Sequence, residues 1–569
     1  GEEEEEEEEK GKNGGGKEST TTLRKSGHSL KRLAEALSPP EPSSAILSKD
    51  EYAPSGSIYV AGDGVTVYNA TLTQVDLRAN HNRSYKMHVI KQSKSRYYLF
   101  RRWGRTGAKD ETYKAFSHAQ KEIEDYKVEQ FSSAKAACKA FQTQFKKMTK
   151  LEWLLLTDHE FQKQQGGYNL VELARTSEKN KWKANAAKGT GGGGSLSSSS
   201  SAKCQLEPRL KGLIEQLWDE NTIVEIMKEQ DVDLEQMPLG KLSKKSIDKG
   251  HSILNRIRSI LEENKTETSL GTSNPVILKA KLEAACTEFF SVIPSPHPKM
   301  IMRFSQLQKR VTMLNILSDI ALAQNLASRA TGLKHHLDEK YETMGCDLKL
   351  LPRDDPKWSD IKASLDNTCT HKDRLTIMYG YGKGLEPPQL LDVFEVNRKG
   401  EAERFKTHNS LGNRKLLWHG TNIAVVVAIC STGLRIMPHS GGRVGRGIYF
   451  ASENGKSANY VATASDGTGI MFLCETVLGK EKHIIHDDPE LRRAPSGYNS
   501  VVAQGHYEPD PTGDVVFSLD GKNVILPTAT PQKRSRYEHS DFTSTEYLVY
   551  NESQVRLRYL LKLKMPPKQ

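Results

Sequence analysis

The sequence has no Cys-x-x-Cys pair, no apolar run of membrane-spanning length and no secretory leader pattern, and each absence removes a class of protein. Its seven cysteines, Cys138, Cys204, Cys286, Cys346, Cys369, Cys430 and Cys474, are scattered over 569 residues. That scatter argues against zinc ribbons and against a disulfide framework, and suits a reducing compartment. No apolar stretch approaches the roughly 20 residues a membrane helix requires, and nothing at the start reads as a signal peptide. The expectation is a soluble intracellular chain, long enough for roughly three to four domains.

Charge is present in excess of one sign. The 82 Lys and Arg outnumber the 71 Asp and Glu, for a net charge of +11, although the chain opens on the acidic run "GEEEEEEEEK". An anionic partner is expected. Residues 1–54 mix Glu, Gly, Ser, Thr, Lys and Pro, a composition that buries too little apolar surface to offset chain entropy, and read as a disordered tail. A Gly/Ser stretch, "GTGGGGSLSSSSS" at 189–201, marks a flexible linker over 176–204.

The folded parts differ in period. Residues 55–175 combine alternating runs, "YKMHVI" and "RYYLF", with the helical "SAKAACKAFQTQFKKM", which suggests a small mixed α/β domain. Over 205–332 the period becomes 3.6: Leu210, Leu213, Ile214, Leu217 and Trp218 share one face, and Met313, Ile316, Leu317, Ile320 and Ala321 share another. This predicts an all-α helical bundle. Residues 333–569 are strand-like, with "GIYF", "IMFLCETVLG" and "VRLRYLLKLK", so the last domain is expected to be β-rich and the whole chain multidomain α+β.

Residues 81–150 hold 17 Lys and Arg against 6 Asp and Glu, a surplus equal to the net charge of the entire chain. Within them "YYLFRRWGRTG" interleaves Tyr97, Tyr98, Phe100 and Trp103 with Arg96, Arg101, Arg102 and Arg105. Such a surface can stack on bases or sugars and pair with phosphates. The same residues also suit the core of a small sheet with a solvated cationic rim, and composition leaves both readings open.

A second constellation lies near the C-terminus. In "KLLWHGTN", His419 precedes Gly420, whose missing side chain lets a carboxamide approach its backbone N–H and C=O. Further on, "GGRVGRGIYFASENGKSANY" supplies Tyr449, Ser457 and Tyr460, groups that suit a flat aromatic amide. Its glycines have the wrong spacing for a dinucleotide fingerprint and lead into a strand. In "STEYLVY", Glu546 heads an apolar strand, where a carboxylate needs a partner or a task. Singly each has a structural explanation; their joint order does not.

With these motifs the sequence resembles the DNA-dependent poly(ADP-ribose) polymerase family over about 55–565, most like its third, mono-ADP-ribosylating member. Trp103, Gly104 and Arg105 match the tripeptide that names the Trp-Gly-Arg domain, "MPLGKLS" at 237–243 matches the helical regulatory domain, and His419, Tyr449 and Glu546 match the His-Tyr-Glu triad of the ADP-ribosyltransferase domain. The resemblance implies Glu546, His419 and Tyr449 as catalytic residues. It implies that Gly420 and Ser457 hold the nicotinamide carboxamide, Tyr460 and Tyr449 flank the ring, and His419, Thr421 and Arg435 line the adenosine side. Trp103, Arg101, Arg102 and Arg105 are implied to bind DNA. NAD+ is the implied substrate, with no metal; DNA strand breaks and acceptor proteins, the chain itself included, are the implied partners, and a nuclear monomer without membrane contact the implied state. The chain lacks the zinc fingers of some members, and residues 372–390 have no evident counterpart. A chain-extending polymerase and an inactive DNA-end-binding scaffold are the alternatives; the second has no physical need for His419, Tyr449, Ser457, Tyr460 and Glu546 together.

Overall fold

The computed structural model describes residues 45–46, 49–50, 52–62, 66–106, 125–153, 161–172, 176–177, 203–229, 242–295, 297–327, 329, 334–369, 388–437 and 441–566. Most of the expected tail, the Gly/Ser tether at 189–201, residues 237–241 of "MPLGKLS" and residues 370–387 lie outside the described residues.

In the first domain, strands β1 (Asn69–Asp76), β2 (His81–Ser93), β3 (Arg96–Arg105) and β4 (Asp125–Phe131), helix α1 (Ala134–Thr149) and the short β5 (Asn169–Leu170) build one antiparallel sheet in the order β4-β3-β2-β1-β5, with the helix on one face. Strand alternation decides that face. Met87 and Val89 of β2 and Tyr97 and Leu99 of β3 join Ala137, Cys138, Phe141 and Phe145 of α1 in one cluster. Ser133 Oγ accepts the Ala136 N–H at 3.3 Å to start the helix, and Lys150, left-handed at φ 68°, ends it. Asp50 and Ala53, read from sequence as part of a disordered tail, instead pack on the sheet: Asp50 is buried against Lys86 and Arg102, and Ala53 against Ile90 and Phe100. The ion pairs and apolar contacts offset an entropy that composition alone would leave unopposed.

Six helices follow: α2 (Pro208–Leu217), α3 (Glu220–Glu229), α4 (Lys244–Ser269), α5 (Pro275–Val292), α6 (Phe304–Ala327) and α7 (His336–Met344). The faces read at period 3.6 are buried, apart from a half-buried Ala321. Ser243 and Asn274 cap α4 and α5, with Pro275 at the first position of α5. The first domain sits on the end of α5, whose last carbonyls lack helical partners. Thr73 Oγ1 and Asn169 Nδ2 donate to Ser291 O at 2.6 and 2.8 Å, and Asn82 Nδ2 donates to Ser295 O at 2.9 Å.

The last region comprises β6 (Cys346–Leu350), α8 (Pro356–Asn367), β7 (Gln389–Arg398), β8 (Arg414–Thr421), α9 (Val426–Thr432), β9 (Ile448–Phe450), α10 (Asn454–Ala458), β10 (Thr468–Val477), β11 (Glu481–Ile484), β12 (Ser500–Ala503), β13 (Val515–Leu519), β14 (Lys522–Leu526), β15 (Glu546–Val549) and β16 (Val555–Lys564). A seven-stranded sheet runs β13-β14-β8-β10-β16-β7-β6 and a four-stranded sheet runs β9-β15-β12-β11. Central strand β10 is buried along its whole length, hence its apolar character, whereas β16 alternates buried Val555, Leu557, Tyr559, Leu561 and Leu563 with half-buried Arg556, Arg558 and Lys562. Fully buried Trp418 joins the sheets: its N–H donates to Ala451 O at 2.8 Å and its carbonyl accepts the Ala451 N–H at 3.1 Å. Helix α6 is not a separate body. Its Leu314 and Leu317 belong to the same apolar cluster as Ile423, Val425, Val426 and Leu434, which follow β8.

Candidate active site and nucleic-acid interface

The seam between the two sheets gathers the residues singled out near the C-terminus. His419, Gly420 and Thr421 end β8, Tyr449 is central in β9, Ser457 lies on α10, Tyr460 follows it, and Glu546 begins β15 opposite Ala503. The His419 Nδ1 lies 3.0 Å from Tyr449 O. A carbonyl only accepts, so Nδ1 carries the proton and Nε2 is left as an acceptor. Burial holds the imidazole pKa below its usual value, the Tyr449 carbonyl opposing this, so the ring is neutral at physiological pH.

Gly420 is set by close approach rather than by turn geometry. A Cβ built there would lie 1.8 Å from Ser457 O, so no side chain fits. Backbone hydrogen bonds alternate in direction along a strand. Trp418 spends its pair on Ala451, so His419 faces β10 and the N–H and C=O of Gly420 turn back toward the seam, beyond the last Ala451 bond. The Ser457 hydroxyl donates to Trp418 O at 3.0 Å and is buried beside them.

Tyr449 is clamped. Its hydroxyl donates to Gly445 O at 2.8 Å and accepts the Val444 N–H at 3.0 Å, and burial raises its pKa, with Glu546 and Tyr460 adding to the rise. Tyr460 presents an exposed ring. Buried Glu546 has a partner the sequence reading missed: Lys456, one residue before Ser457, donates to Oε1 at 2.6 Å. Its signal was available, since "GKS" places a cation next to a site serine. Thr421 is buried at the end of β8.

Arg435 is the exception among the expected contacts. It follows α9 and its Nη2 forms an ion pair with Oδ1 of Asp319, a residue of helix α6. Burial drives the Asp319 pKa up to about 6 even though the guanidinium pulls the other way. Nothing in the local sequence of Asp319 signals this; the pairing spans 116 residues.

The basic segment divides by strand alternation. Arg101, Trp103, Gly104 and Arg105 line a cavity of about 440 Å³ together with Asn82, Arg83, Tyr85, Gln144, Lys147 and Tyr168. Trp103 stacks on Tyr85 with 5.8 Å between centroids and 14° between planes. Arg102 points to the other face, where it pairs with Asp50 at 3.3 Å and lies 4.5 Å over the Tyr52 ring. The expected four-residue set is therefore split three and one, as a period of two requires. Tyr97, Leu99 and Phe100 are core, as the small-sheet reading expects, while Arg101, Trp103 and Arg105 face the cavity.

Three family models match the chain: the poly(ADP-ribose) polymerase catalytic domain over residues 374–565, the poly(ADP-ribose) polymerase regulatory domain over 204–341, and the WGR domain over 68–160. The first includes nearly all of residues 372–390, which had no evident counterpart in the sequence reading. The chain is 37% identical over 509 residues to the human protein mono-ADP-ribosyltransferase PARP3, covering 87% of both, and 36% identical over 552 residues to the mouse protein of that name, covering 94% of this chain and 95% of that one. It is 31% identical to poly [ADP-ribose] polymerase 1 of Arabidopsis thaliana, over 90% of this chain but 48% of the plant protein. With identity above 30% along most of its length and three family models matched, the chain belongs to the poly(ADP-ribose) polymerase family of NAD+-consuming ADP-ribosyltransferases.

Proposed function

We propose that this chain is a nuclear, monomeric ADP-ribosyltransferase, activated by DNA strand breaks, that attaches chiefly single ADP-ribose units to proteins, itself included, in the DNA damage response. The nicotinamide carboxamide pairs with the seam-facing N–H and C=O of Gly420 and with Ser457 Oγ, while Tyr449 and Tyr460 flank the ring. The neutral His419 accepts an adenosine ribose hydroxyl at Nε2. The bond from the ribose to nicotinamide breaks with its electron pair leaving on nicotinamide, and the anomeric carbon gains oxocarbenium character. Glu546 accepts the 2′-hydroxyl of that ribose and stabilises the developing charge, in competition with Lys456 for the same carboxylate. The fit requires no metal.

Regulation by DNA is supported by one contact above others: Asp319 of α6 occupies Arg435, which the adenosine side of NAD+ needs. DNA held at the Trp103 cavity acts on the first domain, which grips the end of α5, and α5 packs on α4 and α4 on α6. Binding there shifts an equilibrium between docked and released regulatory helices. The mono-ADP-ribosyl product is favoured by the closer likeness to relatives named for it. The test is a gel of the full chain with labelled NAD+, with and without nicked DNA: the expected result is discrete labelling that depends on DNA, whereas a ladder of long products refutes the product and equal labelling without DNA refutes the activation.

A further inference from the structure

Outside the seam, one cluster of metal-ligating side chains among the described residues is assembled from two distant segments. Cys204 lies just ahead of α2, and His335 and Asp338 lie at the start of α7, so the segment entering the regulatory helices meets the helix leading into the catalytic sheet. One ligand atom of each falls within 4.8 Å of the other two. The thiol donates to Asp338 Oδ1 at 3.2 Å, and both Asp338 oxygens accept the Gln205 N–H at 3.1 Å, which fixes the carboxylate. Asp338 is buried, and Cys204 and His335 are half-buried.

We propose that Cys204, His335 and Asp338 bind a divalent zinc-class cation that fastens the entry of the regulatory helices to α7. Three features carry this. The donors are thiolate, imidazole and carboxylate, a mixed set that zinc accepts, whereas magnesium and calcium demand oxygen. A tetrahedral zinc with sulfur at about 2.3 Å and oxygen at about 2.1 Å sets those atoms roughly 3.6 Å apart, close to the 3.2 Å already present. The imidazole nitrogen then moves in by no more than about 1.5 Å, and water completes a fourth position. The carboxylate is oriented by the Gln205 backbone, the kind of supporting contact that metal sites use.

The balance is simple. The Cys204 S–H bond breaks, sulfur keeps the electron pair and binds the cation, and the proton leaves to solvent. A free thiol is protonated at neutral pH and binds metal as the thiolate, so each captured ion releases about one proton. This ion has no part in the transfer chemistry, and its test does not depend on the reading of the seam.

The full-length chain, dialysed against chelator, is titrated with zinc and with cobalt(II) under reducing conditions. The expected result is one ion per chain, release of about one proton per ion, a sulfur-to-cobalt charge-transfer band, and a thermal midpoint that rises with zinc. Cys204→Ser is expected to lose the band and Asp338→Asn to weaken binding at least tenfold, with a wild-type circular-dichroism spectrum and cooperative thermal unfolding of either variant confirming that it is folded. Absence of stoichiometric binding by the wild-type chain overturns the assignment, as does undiminished binding with an intact band in folded Cys204→Ser.

Discussion

Replacing Asp319 with alanine is the sharpest way to ask whether α6 holds the transferase shut. In the docked state the Asp319 carboxylate and the Arg435 guanidinium are both largely out of water and face each other. Removing one member of a buried pair leaves the other uncompensated, at a cost of roughly 3–5 kcal/mol. In the released state both groups are solvated, so nearly all of this falls on docking. About 3 kcal/mol is worth on the order of 10² in an equilibrium constant, so labelling of the Ala variant without DNA should rise by up to that factor, or until it reaches the DNA-stimulated rate. Amide exchange across Phe304–Ala327 should accelerate in parallel. pH gives an independent check. The Asp319 pKa is raised by docking, from 3.8 to about 6, so the docked form binds a proton that the released form gives up. Docking is thus favoured below about pH 4 and loses ground as pH rises through about 6. The ratio of DNA-free to DNA-saturated rates should climb over that window in the wild type and stay flat in Asp319→Asn. A folded Asp319→Ala chain with wild-type DNA-free activity and unchanged exchange refutes the autoinhibitory contact. Deleting 205–330 is a blunter test, since it unroofs Ile423 and Val425, which share a core with α6.

Other expectations follow from the seam and the cavity. Glu546→Gln should lower transfer by about 10²–10³ while NAD+ affinity, measured by calorimetry, stays within a fewfold; near-normal turnover would remove Glu546 from the chemistry. Gly420→Ala places a Cβ 1.8 Å from Ser457 O, so β8 and α10 must part, with an expected loss of about 1–3 kcal/mol in denaturant stability and loss of NAD+ binding. Arg105→Ala and Trp103→Ala should weaken binding to nicked DNA, the arginine change also reducing the salt slope by about 1. Arg102→Ala should leave DNA affinity intact and instead loosen the Asp50 contact; equal losses from Arg102 and Arg105 would contradict the division of the strand's two faces.

Much of this was legible in one dimension because it depends on short-range rules. Alternation along β2, β3 and β16, a 3.6 period in the helices, capping by Ser133, Ser243 and Asn274, and a glycine after His419 all depend on neighbours within a few residues. Even the turning away of Arg102 from Trp103 is a period-two consequence that the run of arginines obscured. The sequence by itself thus determined which elements form, and it set the order His419, Gly420, Tyr449, Ser457, Tyr460, Glu546. Only the tertiary structure decided their partners: Lys456 for Glu546, Asp319 for Arg435, and Thr73, Asn82 and Asn169 for the end of α5. Those contacts join residues roughly 90 to 220 positions apart. Their pairing follows from how sheets and helices pack, because a buried charge or carbonyl takes whichever partner the packing brings within hydrogen-bond reach.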